Sequence, residues 1–423
     1  MPLDLDIAKE VVDNILDFLH DDHLSLLSSS LVARKWVSTP RYHLFKRITI
    51  NHYFPGRGHS FKDSAHSFLD LCKSPNCTIL SSLRGVVLNV DSDSAPTLLQ
   101  ELVDVLARAP VAKLVFIDHT TSFRHPISLS WMAPHFPGLR EFSYNSLDRF
   151  VLDIFTLVAS FPQLHTLSLY SNTRDAAKSA ITQAKPYPTV PHTVFAFLHT
   201  LRLRLFSHQS NEFMAWLQTF GDRFRLEVLD LDIFHSCHNG WGPITAVNTF
   251  FGANGAHLRA VGLRIHYEDD REVDENILLT QVSDGDLDLS GLTNLRSLSL
   301  GSHNVVAICT SLASLPNNSQ GLGMLRVSFQ PWIHYDDFPC TCDPRRLVDE
   351  FVAVMRGDQF AHLTAFTILV PAFFGDMGRE ALRVYFPRWK DTDILHIGFI
   401  DQVQFSSPDS WDAGEISLDA LVE

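Results

Sequence analysis

Basic residues are scarce in this chain. Its 423 residues hold 34 Lys and Arg against 48 Asp and Glu, a net charge of −14. A general nucleic-acid binder needs a basic surface, so that class is disfavoured. Cysteine is also sparse: six residues, at 72, 77, 237, 309, 340 and 342. They form no disulfide framework and suit a reducing compartment. No run reaches the ~18 apolar residues of a membrane span. Asp4, Asp6 and Glu10 stand where a signal peptide would be basic and then apolar. A cytoplasmic or nuclear protein, bound to no membrane and no nucleic acid, is expected.

Catalytic signatures are missing too. There is no GxSxG, phosphate-binding loop, dinucleotide glycine run or HExxH, although the chain has 21 histidines. Asp284, Asp286 and Asp288 begin like a calcium loop. The sixth and twelfth positions would then be Leu289 and Leu295, not Gly and Glu. Cys340 and Cys342 lie near His334, Asp336 and Asp337, and Cys72 and Cys77 lie near His66. Neither group shows the two spaced ligand pairs of structural zinc. Neither an enzyme nor a cofactor is expected.

What is present is a repeat. The pattern apolar-x-x-apolar-x-apolar runs through Leu83-Val86-Leu88, Val111-Leu114-Phe116, Leu139-Phe142-Tyr144 and Leu164-Leu167-Leu169. It continues through Leu198-Leu201-Leu203, Leu226-Leu229-Leu231, Leu258-Val261-Leu263 and Leu295-Leu298-Leu300. Leu322-Leu325-Val327, Leu363-Phe366-Ile368 and Ile394-Ile397-Phe399 complete eleven copies, and Phe45-Ile48-Ile50 is a candidate N-terminal cap. Alternate residues of each copy suit a strand with one buried face. Helix-like stretches fill much of the space between, at 96–109, 149–160, 211–224, 305–315 and 344–360. A strand and a helix of ~30 residues cannot bury both faces alone, whereas stacked copies can.

This region, residues 83–400, resembles the leucine-rich-repeat family. The resemblance implies a curved solenoid with a parallel sheet on its concave face. The family's turn Asn is matched only by Asn172. Asp91, His119, Phe206, Phe234, His266 and His303 occupy its place elsewhere, which implies looser turns.

The N-terminal stretch is different. Ile7, Val11, Ile15 and Leu19 lie four apart, on one helical face. Asp6 and Asp22 suit helix N-caps. Leu24, Leu27 and Leu31 extend the apolar surface, and Pro40 starts a third segment. So few residues cannot bury so many apolar side chains well. This segment resembles the F-box, especially the divergent fungal modules that precede leucine-rich repeats. Leu3, Asp6, Ile7, Leu19, Leu24, Val32, Arg34 or Lys35, and Trp36 match the family pattern; Asp4 replaces its Pro. The alternative is a helical cap that only shields the first repeat.

The fold class expected is therefore α/β. A three-helix F-box-like module over 1–50 leads through a connecting segment, 51–82, to the solenoid over 83–400 and an acidic tail, 401–423. The resemblance implies a substrate-recognition subunit of an SCF-type ubiquitin ligase. Its module would bind a Skp-type adaptor and through it a cullin; its solenoid would hold a protein substrate. Leu3, Ile7, Val11, Ile15, Leu19, Leu24, Leu27, Val32 and Trp36 form the adaptor-facing or module-core set, undivided by sequence. The alternatives are an interaction scaffold without ubiquitin transfer and a ligand-binding receptor.

In each repeat the residues between the apolar positions face away from the core. Arg202 and Arg204, then Asp230 and Asp232, then Arg264 occupy these positions in three successive repeats. Strands in register lie ~4.8 Å apart. Arg202 should neighbour Asp230, and Arg204 should neighbour Asp232, with Arg264 beyond. These five residues are either a self-satisfying charge ladder or a polar strip for substrate. Nine acidic residues between Glu268 and Asp288 and six in 401–423 suit solvated segments, or a basic partner.

Overall fold

The computed structural model describes residues 9–19, 22–32, 37–50, 61–74, 77–90, 96–118, 130–146, 154–171, 195–218, 225–236, 242–268, 287–302, 305–316, 321–329, 344–371, 383–384, 386, 388–389 and 392–400. The chain divides into two compact units. The first comprises Met1–Ala176 and Gln183–Phe197, the second Ala177–Thr182 and Leu198–Glu423.

Unit one opens with helices α1 (Lys9–Phe18), α2 (His23–Val32) and α3 (Ser38–Phe45). Strand β1 (Arg47–Ile50) follows directly. Helices α4 (Phe61–Lys73) and α5 (Ile79–Ser82) occupy the connecting segment. Strands β2 (Gly85–Val90), β3 (Lys113–Asp118), β4 (Glu141–Ser146) and β5 (Thr166–Ser171) then alternate with α6 (Pro96–Leu106), a 3-10 turn (Ser130–His135) and α7 (Ile154–Ala159). Each strand pairs in parallel with the next. Ile48 and Ile50 thus lie in a true first strand, just after Phe45 ends α3: Ile48 pairs with Val86 and Ile50 with Leu88.

Unit two repeats the scheme. Its strands are β6 (Thr200–Phe206), β7 (Val228–Ser236), β8 (Ala260–Glu268), β9 (Ser297–Ser302), β10 (Met324–Phe329), β11 (Ala365–Pro371) and β12 (Leu395–Ile400). Helices α8 (Ser207–Gln218), α9 (Gly242–Asn254), α10 (Val305–Ala313) and α11 (Pro344–Met355) lie between them. Again every neighbouring pair is parallel.

The apolar triplets explain this order. Their second positions stand level in adjacent strands: Val86, Leu114, Phe142 and Leu167 in unit one; Leu201, Leu229, Val261, Leu298, Leu325 and Phe366 in unit two. All ten are buried. They face the helices, as the 6.3 Å ring contact between Phe351 of α11 and Phe366 shows. On α6, Leu98, Leu99, Leu102, Val103, Val105 and Leu106 are all buried.

A second pattern recurs at each strand start. The carbonyl just before a strand accepts two successive N–H groups of the next repeat. Arg84 and Gly85 donate to Lys46, Ala112 and Lys113 to Arg84, and Arg140 and Glu141 to Ala112, at 2.8–3.0 Å.

Two expectations change. The last triplet is offset by two residues: Phe366 pairs with Leu395 and Ile368 with Ile397. Leu395 and Ile397 are buried, so they, not Ile397 and Phe399, hold the second and third core positions. The first position falls on Thr392. Phe386 and Trp389 pack on Phe366 instead, at 5.6 and 5.4 Å. Secondly, Phe206, Phe234 and His266 do not sit in loose turns. They lie inside β6, β7 and β8, paired with one another. There β7 and β8 reach nine residues each, whereas β2, β3 and β9, which also lack the Asn, are six.

Candidate docking and recognition surfaces

Helix α1 is apolar on two faces. Val11-Val12, Ile15-Leu16 and Phe18-Leu19 are adjacent pairs, and one residue is ~100° of helix, so the pairs make two stripes. Val12 and Leu16 turn inward and join Leu26 of α2 in a small core, with Leu19 and Leu44 packed against it. Val11, Ile15 and Phe18 turn outward. Leu24, Leu27, Leu31 and Val32 of α2 do the same, and all seven are between 49% and 90% exposed.

The structure therefore divides the set that sequence left whole. Leu19 belongs to the module core; Val11, Ile15, Leu24, Leu27 and Val32 belong to its surface. Val12, Leu16 and Leu26 carry the core, and the doubled apolar stripe was their signal in the sequence. Phe18 and Leu31 extend the surface. Leu3, Ile7 and Trp36 lie outside the described residues, as does Asp6.

Polar contacts hold the three helices. Asp22 caps α2: its carboxylate accepts the Ser25 N–H at 3.1 Å and the Ser25 hydroxyl at 2.6 Å. These bonds hold the Asp22 carboxyl below its ordinary range, the hydroxyl contributing most. His43 of α3 meets Asp17 of α1 at 2.8 Å, and Thr39 donates to Asp13. Arg41 reaches Thr78, before α5, at 3.1 Å, tying the module to the connecting segment.

The charged strip in unit two assembles as its spacing implied. Arg202 stands level with Asp230, Arg204 with Asp232, and Asp232 with Arg264. Arg204 Nε lies 3.8 Å from Asp232 Oδ2. Arg264 spans both acids, with Nη2 3.4 Å from Asp230 Oδ2 and Nε 3.7 Å from Asp232 Oδ2. Both aspartates are only 5% exposed. The Arg204 and Arg264 side chains are 20% and 16% exposed against 7% for the two aspartates, so the strip offers solvent more of its arginines than of its acids.

Cys72 and Cys309 are free thiols. Burial pushes both up to about 12, helped by Cys77 at the first and Glu350 at the second. At neutral pH they are protonated and poor nucleophiles. Among the described residues no group of three or more His, Cys, Asp and Glu is placed to hold a metal ion. Cys237, Cys340 and Cys342, with His334, Asp336 and Asp337, lie outside those residues, as do 269–286 and the acidic tail 401–423. Among the described residues no helix is long and apolar enough to cross a membrane. No protein-family model matches the chain, and no curated protein matches it in sequence.

Proposed function

We infer that this chain is a substrate-recognition subunit of an SCF-type ubiquitin ligase. The N-terminal module docks on a Skp-type adaptor, and the repeats hold a protein substrate near the ubiquitin-loaded enzyme. The chain contributes selection and proximity, not bond making.

One observation carries this reading. A module with a core of three fully buried apolar side chains presents seven large ones to solvent. On each helix these residues keep helical spacing, Val11, Ile15 and Phe18 on α1 and Leu24, Leu27 and Leu31 on α2, and an exposed apolar stripe marks a protein contact. Burying each side chain there is worth roughly 1.5–3 kcal/mol. The surface contains Val11, Ile15, Leu24, Leu27 and Val32, the positions that the F-box resemblance assigns to the adaptor or the core. The Arg202–Arg264 strip is the candidate substrate surface of the repeats.

Co-expression with a Skp-type adaptor tests it. The wild-type chain should co-purify with the adaptor, and Ile15→Asp should abolish recovery without lowering the melting temperature, since Ile15 is 55% exposed and lies on the outer stripe of α1. Undiminished recovery by Ile15→Asp would remove the docking assignment.

A further inference from the structure

The face of the unit-one sheet that turns away from the helices is uncharged. On β2 to β5 the residues between the core positions point to this face. Asn89, Ile117, Asn145 and Tyr170 stand level with one another there. Two residues earlier on each strand stand Val87, Val115, Ser143 and Ser168. Neither row holds a charged residue, in a chain whose net charge is −14.

Two amides on this face do no work for the fold. Asn89 Oδ1 is shut from water and accepts no hydrogen bond. Asn145 is only 7% exposed, and no hydrogen bond to a described residue engages its amide. Folds rarely leave such groups unmet, because the hydration given up is not returned. An apolar side chain of the same shape would serve the sheet at least as well. The corresponding face of unit two differs: its buried aspartates, Asp230 and Asp232, each have an arginine beside them. Unpaired amides in unit one point to a partner outside the chain.

We propose that this face binds an uncharged, proline-rich segment of a partner protein, crossing from β2 to β4, with Asn89 and Asn145 holding peptide groups three residues apart. A side-chain amide carries a donor and an acceptor, so it matches a peptide group. The terminal torsion of Asn is broad, so Asn89 can turn its oxygen to the incoming chain. Ile117 lies between the two amides, which puts them two strand spacings, ~9.6 Å, apart. A polyproline II segment returns to the same side every third residue, ~9.3 Å on, and its peptide groups are free of internal hydrogen bonds. A β-extended segment returns every second residue, ~6.8 Å on, and falls out of step. Val115 and Ile117, both partly exposed, give proline rings an apolar floor, and Tyr170 adds an aromatic side chain at its end. An acidic segment finds no cation in these rows, and a basic one finds no anion. The proposal is independent of the ligase reading, since it uses no residue of the α1–α2 surface or of the Arg202–Arg264 strip.

Fluorescence anisotropy of the full chain with a labelled peptide of repeated Ala-Pro-Pro tests the proposal. That peptide is uncharged, favours polyproline II and offers one N–H every third residue. It should bind, and added salt should change its affinity little. Asn89→Ala with Asn145→Ala should weaken binding roughly tenfold or more, at an unchanged melting temperature. Should the alanines lower the melting temperature, Asn145→Leu, which fills a similar volume without an amide, must show the weakening on its own. Absence of binding below about 1 mM, or undiminished binding by these variants, would overturn the proposal. So would equal binding of a flexible Gly-Ser peptide of the same length, or tighter binding of oligoglutamate or oligolysine.

Discussion

Arg264 reaches across its own rung of the ladder. The residue level with it on β7 is Asp232, yet its Nη2 lies 3.4 Å from both carboxylate oxygens of Asp230, two residues earlier on that strand. One guanidinium thereby serves two buried acids. Removing one partner of a buried ion pair costs about 3–5 kcal/mol, because the other charge remains. Arg264→Met should therefore destabilise unit two by that order, measured by urea unfolding. Adding Asp230→Asn and Asp232→Asn to Arg264→Met should recover a large part of the loss. If the triple variant is no more stable than Arg264→Met, the two acids are not what Arg264 holds.

The two stripes of α1 should separate by mutation. Leu16→Ala removes a side chain that is 2% exposed and should cost about 2–4 kcal/mol. Ile15→Ala removes one that is 55% exposed and should stay within about 0.5 kcal/mol. Thermal melts of the two variants give the comparison. Equal losses would mean that the helix is rotated from the orientation described.

Much of this was legible in the sequence, and the exceptions have physical causes. The strand faces were readable because each inward position repeats with the strand's own period. The last repeat was misread because its first position is Thr392, a polar and exposed residue that an apolar search passes over, and the nearby Ile394 offered a false match. The five charged residues were placed correctly because register follows from the triplets. The reach of Arg264 to Asp230 was not, since a long side chain chooses its rotamer from partners that spacing does not reveal. On α1 only one apolar stripe, Ile7-Val11-Ile15-Leu19, was read and the core stripe of Val12 and Leu16 was missed, because the allocation to core or solvent depends on how α3 lies against α1 and α2, a tertiary fact.

Two glycines mark a close approach in unit two. A Cβ on Gly291 would stand 2.5 Å from the Phe251 carbonyl oxygen, and one on Gly255 would stand 2.7 Å from the Gly291 oxygen. Backbone at that distance cannot move aside cheaply. Gly291→Ala should lower stability by roughly 1–3 kcal/mol. Gly138→Ala, where a Cβ meets nothing within 4 Å, is the control and should change little. The difference in denaturation midpoint between the two variants checks this.

Asp22 sets an acid dependence for the module. Its folded pKa is depressed by the Ser25 hydroxyl and N–H. A carboxyl with a depressed folded pKa contributes stability above its unfolded pKa, near 3.9, and loses it as pH falls through the lower folded value. The helical signal of α2 should weaken below about pH 4, and Asp22→Asn should remove that part of the titration. Circular dichroism across an acid series, on both chains, is the measurement. An identical acid profile for Asp22→Asn would show that the cap does not titrate as described.

Titration calorimetry with a purified Skp-type adaptor tests the central claim most directly. The account predicts binding with a negative heat-capacity change, the mark of buried apolar surface. It also predicts loss of that binding in Ile15→Asp with Leu27→Asp, while the variant melts like the wild type. No heat with the wild-type chain, or undiminished binding by the double variant, would contradict it.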